Sequence, residues 1–338
     1  MPPHHQCSTL AFIIDDFTMT EPYDKYLETA LLNRNQINEA LSFINDVFSE
    51  PDYNIADRVT LDDIQFTYHF LTNKHYVEKS EEETIVIKKY RRLTQIIFDF
   101  YYPKPTGSKF YHYTKLSALN GILKNELKLK PLITNENFDE FKTFYKDHNL
   151  IGYSINTDES GKLMEQVLME QCFAICFASP IGLTAEKEKT LWYSFADNGG
   201  GIRIEFDIKS NHPDFRKIFY HKTDFDKSKL LLNRLNKDTQ ERFDRIFTVA
   251  GLSKIGAFYL PGYYDIENEV RFLIKKFTDD YEFCFDDSKG FITLPFDSDF
   301  ANISIKKIKV GKTCSLENVK RILAENDYGS FDSLEIGE

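Results

Sequence analysis

The stretch Lys109–Leu123, KFYHYTKLSALNGIL, decides the fold, because it changes character in its middle. Phe110, Tyr111 and Tyr113 suit a pleated, half-buried surface and predict a strand. Thr114 stands where an N-cap belongs, and Leu116, Leu119, Ile122 and Leu123 recur at helical spacing. His112 is therefore expected at the end of a strand, just before a helix N-terminus. It is either an ordinary satisfied histidine or a residue that holds a ligand. Immediately upstream, YYPKPTGSK (101–109) carries two prolines and a glycine and marks the best domain boundary in the chain.

The two sides of that boundary read differently. From residue 20 to about 102 the pattern is helical. Ile37, Leu41, Ile44 and Phe48 form one apolar seam, and Val86, Tyr90, Leu93, Ile97 and Phe100 form a second. Ser80 with Glu83 fits a capping box opening the second helix. RVTLDDIQFTYHFLT (58–72) supplies a third helix, though its alternation also fits a strand. His69 and His75, six apart, do not make a helical metal pair. Beyond the boundary, short β-rich runs fall at 172–178, 201–207, 216–221, 269–275, 281–285 and 303–310. Helical segments lie near 159–170, 226–250 and 315–325. Strands interleaved irregularly with helices predict an α+β fold rather than a doubly wound sheet. The expected organisation is a helical region over 1–105, serving targeting, regulation or dimerisation, and one domain over 106–338.

Composition narrows the class. With 338 residues, 42% of them hydrophobic, the chain can bury a sizeable core. Its formal charge of −11, from 53 acidic against 42 basic residues, argues against a protein that coats nucleic acid by neutralising phosphates. The basic run KKYRR (88–92) reads as the solvated face of a helix. Five cysteines are scattered without metal-ligand spacing, so no metal is expected. Cys172 and Cys176, in the apolar run CFAICFA, are expected to be buried. No basic leader and no run of about 20 apolar residues is present, so the expectation is a soluble cytoplasmic protein without a membrane partner.

Two further segments carry chemistry. TLWYSFADNGGGIRIEFD (190–207) holds the only tryptophan, Trp192, followed by Tyr193 and Ser194, expected on a strand. Asp197, Asn198 and Gly199–Gly201 then form a turn, where glycine permits positive φ and close backbone approach. The turn is either a hairpin beside an aromatic cluster or a cradle whose N–H groups reach phosphates. A strand follows it, so it is not a dinucleotide fingerprint. In YYDIENEVRFLIKK (263–276), strand alternation puts Val270, Phe272 and Ile274 on one face and Glu269, Arg271 and Leu273 on the other. Glu267 would lie beside Glu269. Two carboxylates this close call for a cation, a shared proton or a positively charged substrate; Arg271 offers the structural alternative, a salt bridge.

Taken in order, FYHYTKLSALNGIL, LWYSFADNGGGIRIEFD, IENEVRFLI and the closing IKKIKVGKTCSLENVKRIL resemble an uncharacterised bacterial family of the ADP-ribosyltransferase-like superfamily. The resemblance covers residues 108–325. It implies a split, two-sheet α+β core with NAD, consumed as substrate, in the cleft between the sheets. His112, with Tyr113 and Thr114 beside it, corresponds to the first-strand position that hydrogen-bonds the nicotinamide ribose. Tyr193 corresponds to the aromatic stacked on nicotinamide, with Trp192 and Ser194 as the adjacent options. Glu269 corresponds to the catalytic glutamate, with Glu267 two residues before it, a spacing associated with arginine as acceptor. The pattern is mixed, since the histidine belongs to one branch and the E-x-E to another, and WYS is the nearest match to a second-strand S-T-S motif. The activity implied is transfer of ADP-ribose to an intracellular protein or nucleic acid, as in a toxin or phage-defence effector. The alternatives are NAD hydrolysis and a non-catalytic module that binds a nucleotide or partner.

Overall fold

The computed structural model describes residues 34–55, 95–134, 142–148, 160–221, 226–243, 252–276, 285–286, 290–328 and 334–336. The chain folds into two compact units, each discontinuous in sequence. The first takes 1–101, 139–171 and 224–257; the second takes 102–138, 172–223 and 258–338.

The first unit is helical in its described residues. The helix Arg34–Ser49 buries Phe43, Ile44, Val47 and Phe48, the stripe that its 3.6-residue period brings to one side. It packs on the helix Leu231–Phe243, which buries Leu231, Leu232 and Leu235. Polar groups pin the pair. The Tyr53 hydroxyl donates to the Lys229 carbonyl at 2.8 Å, Arg234 pairs with Glu50 at 3.3 Å and with Asp238, and the Arg242 guanidinium lies 4.6 Å from the centre of the Phe43 ring. Residues 95–101 are helical with Ile97 buried, as the second seam predicts. The capping box at Ser80 and Glu83, the segment 58–72, the run 88–92, and His69 and His75 lie outside the described residues.

The second unit holds the described strands: β1 Lys109–Thr114, β2 Glu126–Pro131, β3 Cys172–Ala178, β4 Ile202–Ser210, β5 Phe215–Lys217, β6 Phe219–His221, β7 Tyr259–Pro261, β8 Glu269–Lys275, β9 Phe285–Asp286, β10 Phe291–Pro295, β11 Ala301–Val310 and β12 Leu334–Ile336. With the helices this makes an α+β fold. β6 and β7 pair with each other alone; the rest form a mostly antiparallel sheet in the order β12-β11-β4-β1-β3-β2-β10-β9, with β8 paired to β3 and β5. β3 pairs with β8 along its whole length, from Cys172 opposite Lys275 to Ala178 opposite Glu269. Its other edge is shared. β1 meets it at Tyr111 opposite Ala178, and β2 meets it at Ala174 and Phe173. Among the described residues, 175–177 have no strand partner on that edge, so the described sheet parts there.

Alternation explains the core. Phe173, Ile175 and Phe177 of β3, with Val270, Phe272 and Ile274 of β8, face a cluster completed by Phe110, Phe206 and Phe215. The opposite face of β3 carries Ala174, Cys176 and Ala178, all small. Leu119, Ile122 and Leu123 cover the cluster from after β1, and Val319 and Leu323 cover it from the helix Leu316–Glu325.

Strands 172–178 and 269–275 fall where the apolar run of the first and the alternation of the second predict them. The run expected at 216–221 divides into β5 and β6, and of 281–285 only Phe285 is described. Two expectations are corrected. Thr114 closes β1 rather than capping a helix: a 3-10 turn Leu116–Ala118 follows, with Lys115 at its N-cap and no side-chain cap, and then one helical turn, Leu119–Ile122. Trp192, Tyr193 and Ser194 lie on the helix Ala185–Phe195, not on a strand. Thr184 caps that helix by accepting the Lys187 N–H at 3.3 Å. Glu186 and Glu188 sit in its first turn, where the helix dipole favours carboxylates. These signals outweigh the strand preference of the aromatic pair.

Candidate functional site

Glu269 begins β8 and is only 6% exposed; Arg271, two residues on, is 2% exposed. Both side chains leave the same face, and Arg271 holds the carboxylate with both arms of its fork: Nε donates to Oε1 at 2.8 Å and Nη2 donates to Oε2 at 3.0 Å. This bidentate geometry lets two charges sit in a low-dielectric place. Burial lowers the Arg271 pKa most, but the Glu269 charge, the Cys176 side chain and the hydrogen bonds to both together outweigh it and hold the guanidinium above its ordinary value. Behind the carboxylate, the Glu269 N–H donates to the Tyr220 hydroxyl at 2.8 Å. Burial, and then the Glu269 charge, push that phenol upward.

The tandem carboxylates do not share a strand. Glu267 ends the 3-10 turn Gly262–Glu267, and Asn268 then adopts a left-handed conformation, φ 47°. That left-handed residue separates the turn from the strand, so strand alternation does not relate the two glutamates. Asn268 is fixed there by its Nδ2, which donates to the Ser179 carbonyl at 2.8 Å and to the Ile181 carbonyl at 2.7 Å.

His112 stands at the parting of the sheet. Its Nδ1 lies 2.9 Å from the Cys176 carbonyl. A carbonyl only accepts, so Nδ1 carries the proton and Nε2 of the neutral ring is left as an acceptor. The imidazole thus replaces a missing ladder bond on the open edge of β3. Burial lowers the His112 pKa, against the raising effect of that hydrogen bond. Alternation puts His112 on the same face of β1 as Phe110, and its ring is 5.8 Å from that of Phe177, in the main core. Glu269 belongs to the other face, in the row Tyr111–Ala178–Glu269 across β1, β3 and β8. Both residues converge on Cys176, His112 at its carbonyl and the Glu269–Arg271 pair at its side chain. Burial first, and then Glu269, push the Cys176 thiol well up, so it stays protonated and is no nucleophile.

The aromatic candidates separate. Tyr113 and Trp192 meet edge to face, ring centres 5.4 Å apart, in a small cluster with Ala178, Leu191 and Ala196. Trp192 Nε1 donates to Glu188 Oε1 at 3.4 Å. Tyr193 is 71% exposed and Ser194 is exposed, so neither packs on Trp192's partners. Thr114 is half-buried, and its carbonyl lies against the glycine turn: a Cβ on Gly201 would come within 2.3 Å of it. The turn does not offer its amides to a ligand. Gly199 and Gly201 donate to the Ala196 carbonyl at 3.0 and 2.8 Å, and Gly200 donates to the Asp197 carbonyl at 2.8 Å. Its glycines serve close packing, since a Cβ on Gly311 would stand 2.1 Å from the Gly199 carbonyl oxygen.

Sequence reasoning missed Tyr111, Tyr220 and Asn268. Only Asn268 left a signal, as a residue tolerant of positive φ between a Gly-led turn and an apolar run. Among the described residues no helix is long and apolar enough to cross a membrane, and no group of three or more His, Cys, Asp and Glu could hold a metal ion. No protein-family model, curated protein or solved structure matches the chain.

Proposed function

We propose that the chain is an NAD-dependent ADP-ribosyltransferase that modifies an intracellular macromolecule, with Glu269 as the catalytic carboxylate. One observation carries the reading: a buried carboxylate, anchored at both oxygens, opens a strand beside the parting of a β-sheet and shares its sheet face with the Tyr111, Tyr113 and Trp192 aromatic group. Breaking the nicotinamide–ribose bond develops positive charge on the sugar, as in glycoside hydrolysis, and a fixed carboxylate stabilises it. An aromatic ring of the Tyr111, Tyr113 and Trp192 group holds the departing nicotinamide, while His112, on the opposite sheet face from Glu269, acts on the site through its bond to the Cys176 carbonyl rather than by touching the ribose. Tyr193 and Ser194, exposed on the helix Ala185–Phe195, are assigned to the rim of the substrate site, and Thr114 to its β1 side. Glu267 is assigned a role toward the acceptor. The split two-sheet core that the resemblance implies agrees with a sheet that parts beside His112.

A second reading rests on the Arg271 fork. A carboxylate already neutralised by a guanidinium is a weaker stabiliser of a cation, which favours a non-catalytic nucleotide-binding module. NAD turnover decides between them, with nicotinamide and free ADP-ribose both quantified in the presence of cell lysate. Nicotinamide released in excess of free ADP-ribose, and lost in Glu269→Gln, is the outcome expected. Equal amounts of the two products mean hydrolysis. The absence of turnover, with NAD still bound, would establish the binding module.

A further inference from the structure

Three strands place a row of polar side chains under the helix Ala185–Phe195. Tyr113 of β1 stands opposite Arg203 of β4, and Arg203 stands opposite Lys309 of β11. Two cations directly opposite each other repel, and one carboxylate answers both. Glu188 Oε1 takes Arg203 Nη1 at 2.6 Å and has Lys309 Nζ at 3.7 Å, too far for a hydrogen bond. The same oxygen receives Trp192 Nε1. The group therefore carries one positive charge in excess. Its donors are also unfilled. Arg203 is 8% exposed and Tyr113 is 7% exposed, yet Arg203 Nε and the Tyr113 hydroxyl are buried without a well-formed hydrogen bond, and the polar neighbour of the phenol is the Arg203 side chain itself. Buried polar groups are nearly always paired, so two idle groups in one cluster call for an explanation. The Arg203 guanidinium lies 4.2 Å from the centre of the Tyr111 ring, which holds its plane in place. The side chains of Glu188 and Lys309 are 28% and 21% exposed, so the cluster opens to solvent on their side.

We infer that Arg203, Lys309 and Tyr113 form a binding site for a phosphate group, which Glu188 partly occupies when the site is empty. A phosphate oxygen satisfies the guanidinium and the ammonium together, which a single carboxylate oxygen does not. The aromatic rings of Tyr111 and Trp192 beside it suit the phosphate of a nucleotide. Under the proposed function, that phosphate belongs to the NAD diphosphate, but the site is defined by its own charges and stands without that reading.

Inorganic pyrophosphate is the probe, titrated calorimetrically at low ionic strength into the full chain, with circular dichroism as the check on folding. Lys309→Gln should weaken binding about tenfold or more, the effect of losing one charge-assisted contact. Glu188→Gln should move the other way and tighten binding several-fold, because the competing carboxylate is gone. A purely structural salt bridge predicts no pyrophosphate binding in any variant, and that result overturns the site. So does an affinity indifferent to Lys309→Gln, which remains informative if Glu188→Gln fails to fold. The outcome is independent of turnover. Pyrophosphate binding with these two opposite shifts, in a chain that never cleaves NAD, keeps the site and removes the transferase reading. NAD cleavage with no pyrophosphate binding does the reverse.

Discussion

Glu269 is at once the proposed catalytic group and half of a buried ion pair, and the two roles make different demands on one substitution. Glu269→Gln removes the carboxylate charge that raises the Arg271 pKa but leaves the guanidinium buried and, as arginine is in proteins, still protonated at any working pH. Stranding one partner of such a pair costs about 3–5 kcal/mol. Loss of turnover in that variant alone could therefore be loss of fold. Replacing both partners separates the two: Glu269→Leu with Arg271→Met puts well-packed apolar groups where the pair was, and such swaps are often neutral or stabilising. The double variant is expected to recover most of the stability lost in Glu269→Gln, measured by guanidinium unfolding, while showing no NAD turnover. An active double variant would remove Glu269 from the chemistry. A Glu269→Gln protein as stable as wild type would show that the pair is not held as the geometry describes.

At the level of elements, the glycine turn between the helix Ala185–Phe195 and β4 is a packing joint, and its glycines are testable one at a time. A Cβ on Gly201 meets the Thr114 carbonyl oxygen at 2.3 Å and the Ala196 carbonyl at 3.0 Å; both are backbone and cannot rotate away. Gly201→Ala must push β1 from β4, and a loss of about 3 kcal/mol or more, or failure to fold, is expected. Gly121 in the helix Leu119–Ile122 has nothing within 4 Å of its would-be Cβ. Gly121→Ala should stabilise by about 0.4–1 kcal/mol. Urea midpoints of the two variants should move in opposite directions; a Gly201→Ala midpoint equal to wild type would contradict the close approach. The same stretch shows what a sequence discloses. β3 was legible as a short apolar run in which small and large residues alternate from Cys172 to Ala178, and β8 because Val270, Phe272 and Ile274 alternate with Glu269 and Arg271, Leu273 being the one apolar residue on the charged face. The helix Ala185–Phe195 was hidden behind two adjacent aromatics that suit a strand, although Thr184 and the early glutamates were signals of a helix start. The 3-10 turn before Glu269 was hidden because its end depends on Asn268 reaching the carbonyls of Ser179 and Ile181, some 87 to 89 residues away. The Glu269–Arg271 pair was legible as one of two alternatives; the idle donors of Arg203 and Tyr113 were not, since they depend on register across three strands.

For the whole molecule, the decisive fact is that the first unit is assembled from three separated segments. The sequence suggests one boundary near residue 105, with a helical region before it that recruits a target, regulates or dimerises. The helix Leu231–Phe243, far beyond that boundary, nevertheless belongs to the first unit and packs on Arg34–Ser49. Its Leu231, Leu232 and Leu235 are all at most 3% exposed. Lys229, Arg234 and Arg242 around it take partners from the N-terminal segment, in Tyr53, Glu50 and Phe43. A chain beginning at residue 106 keeps that helix and loses the surface it covers. With each buried leucine worth about 1.5–3 kcal/mol, the remnant of the first unit cannot hold its helices together, and its apolar stripe becomes a patch of the kind that drives association. The shortened chain is therefore expected to aggregate, or to bind a hydrophobic dye and lose helical ellipticity beyond the share removed. Taking out 139–171 and 224–257 as well, each replaced by a short Gly/Ser linker, should restore a soluble second unit. That doubly trimmed chain is the proper vehicle for asking whether NAD chemistry survives without the first unit. If the chain starting at 106 is instead monomeric and fully helical, the first unit is not the single cooperative body that its packing indicates, and the N-terminal segment is a detachable accessory.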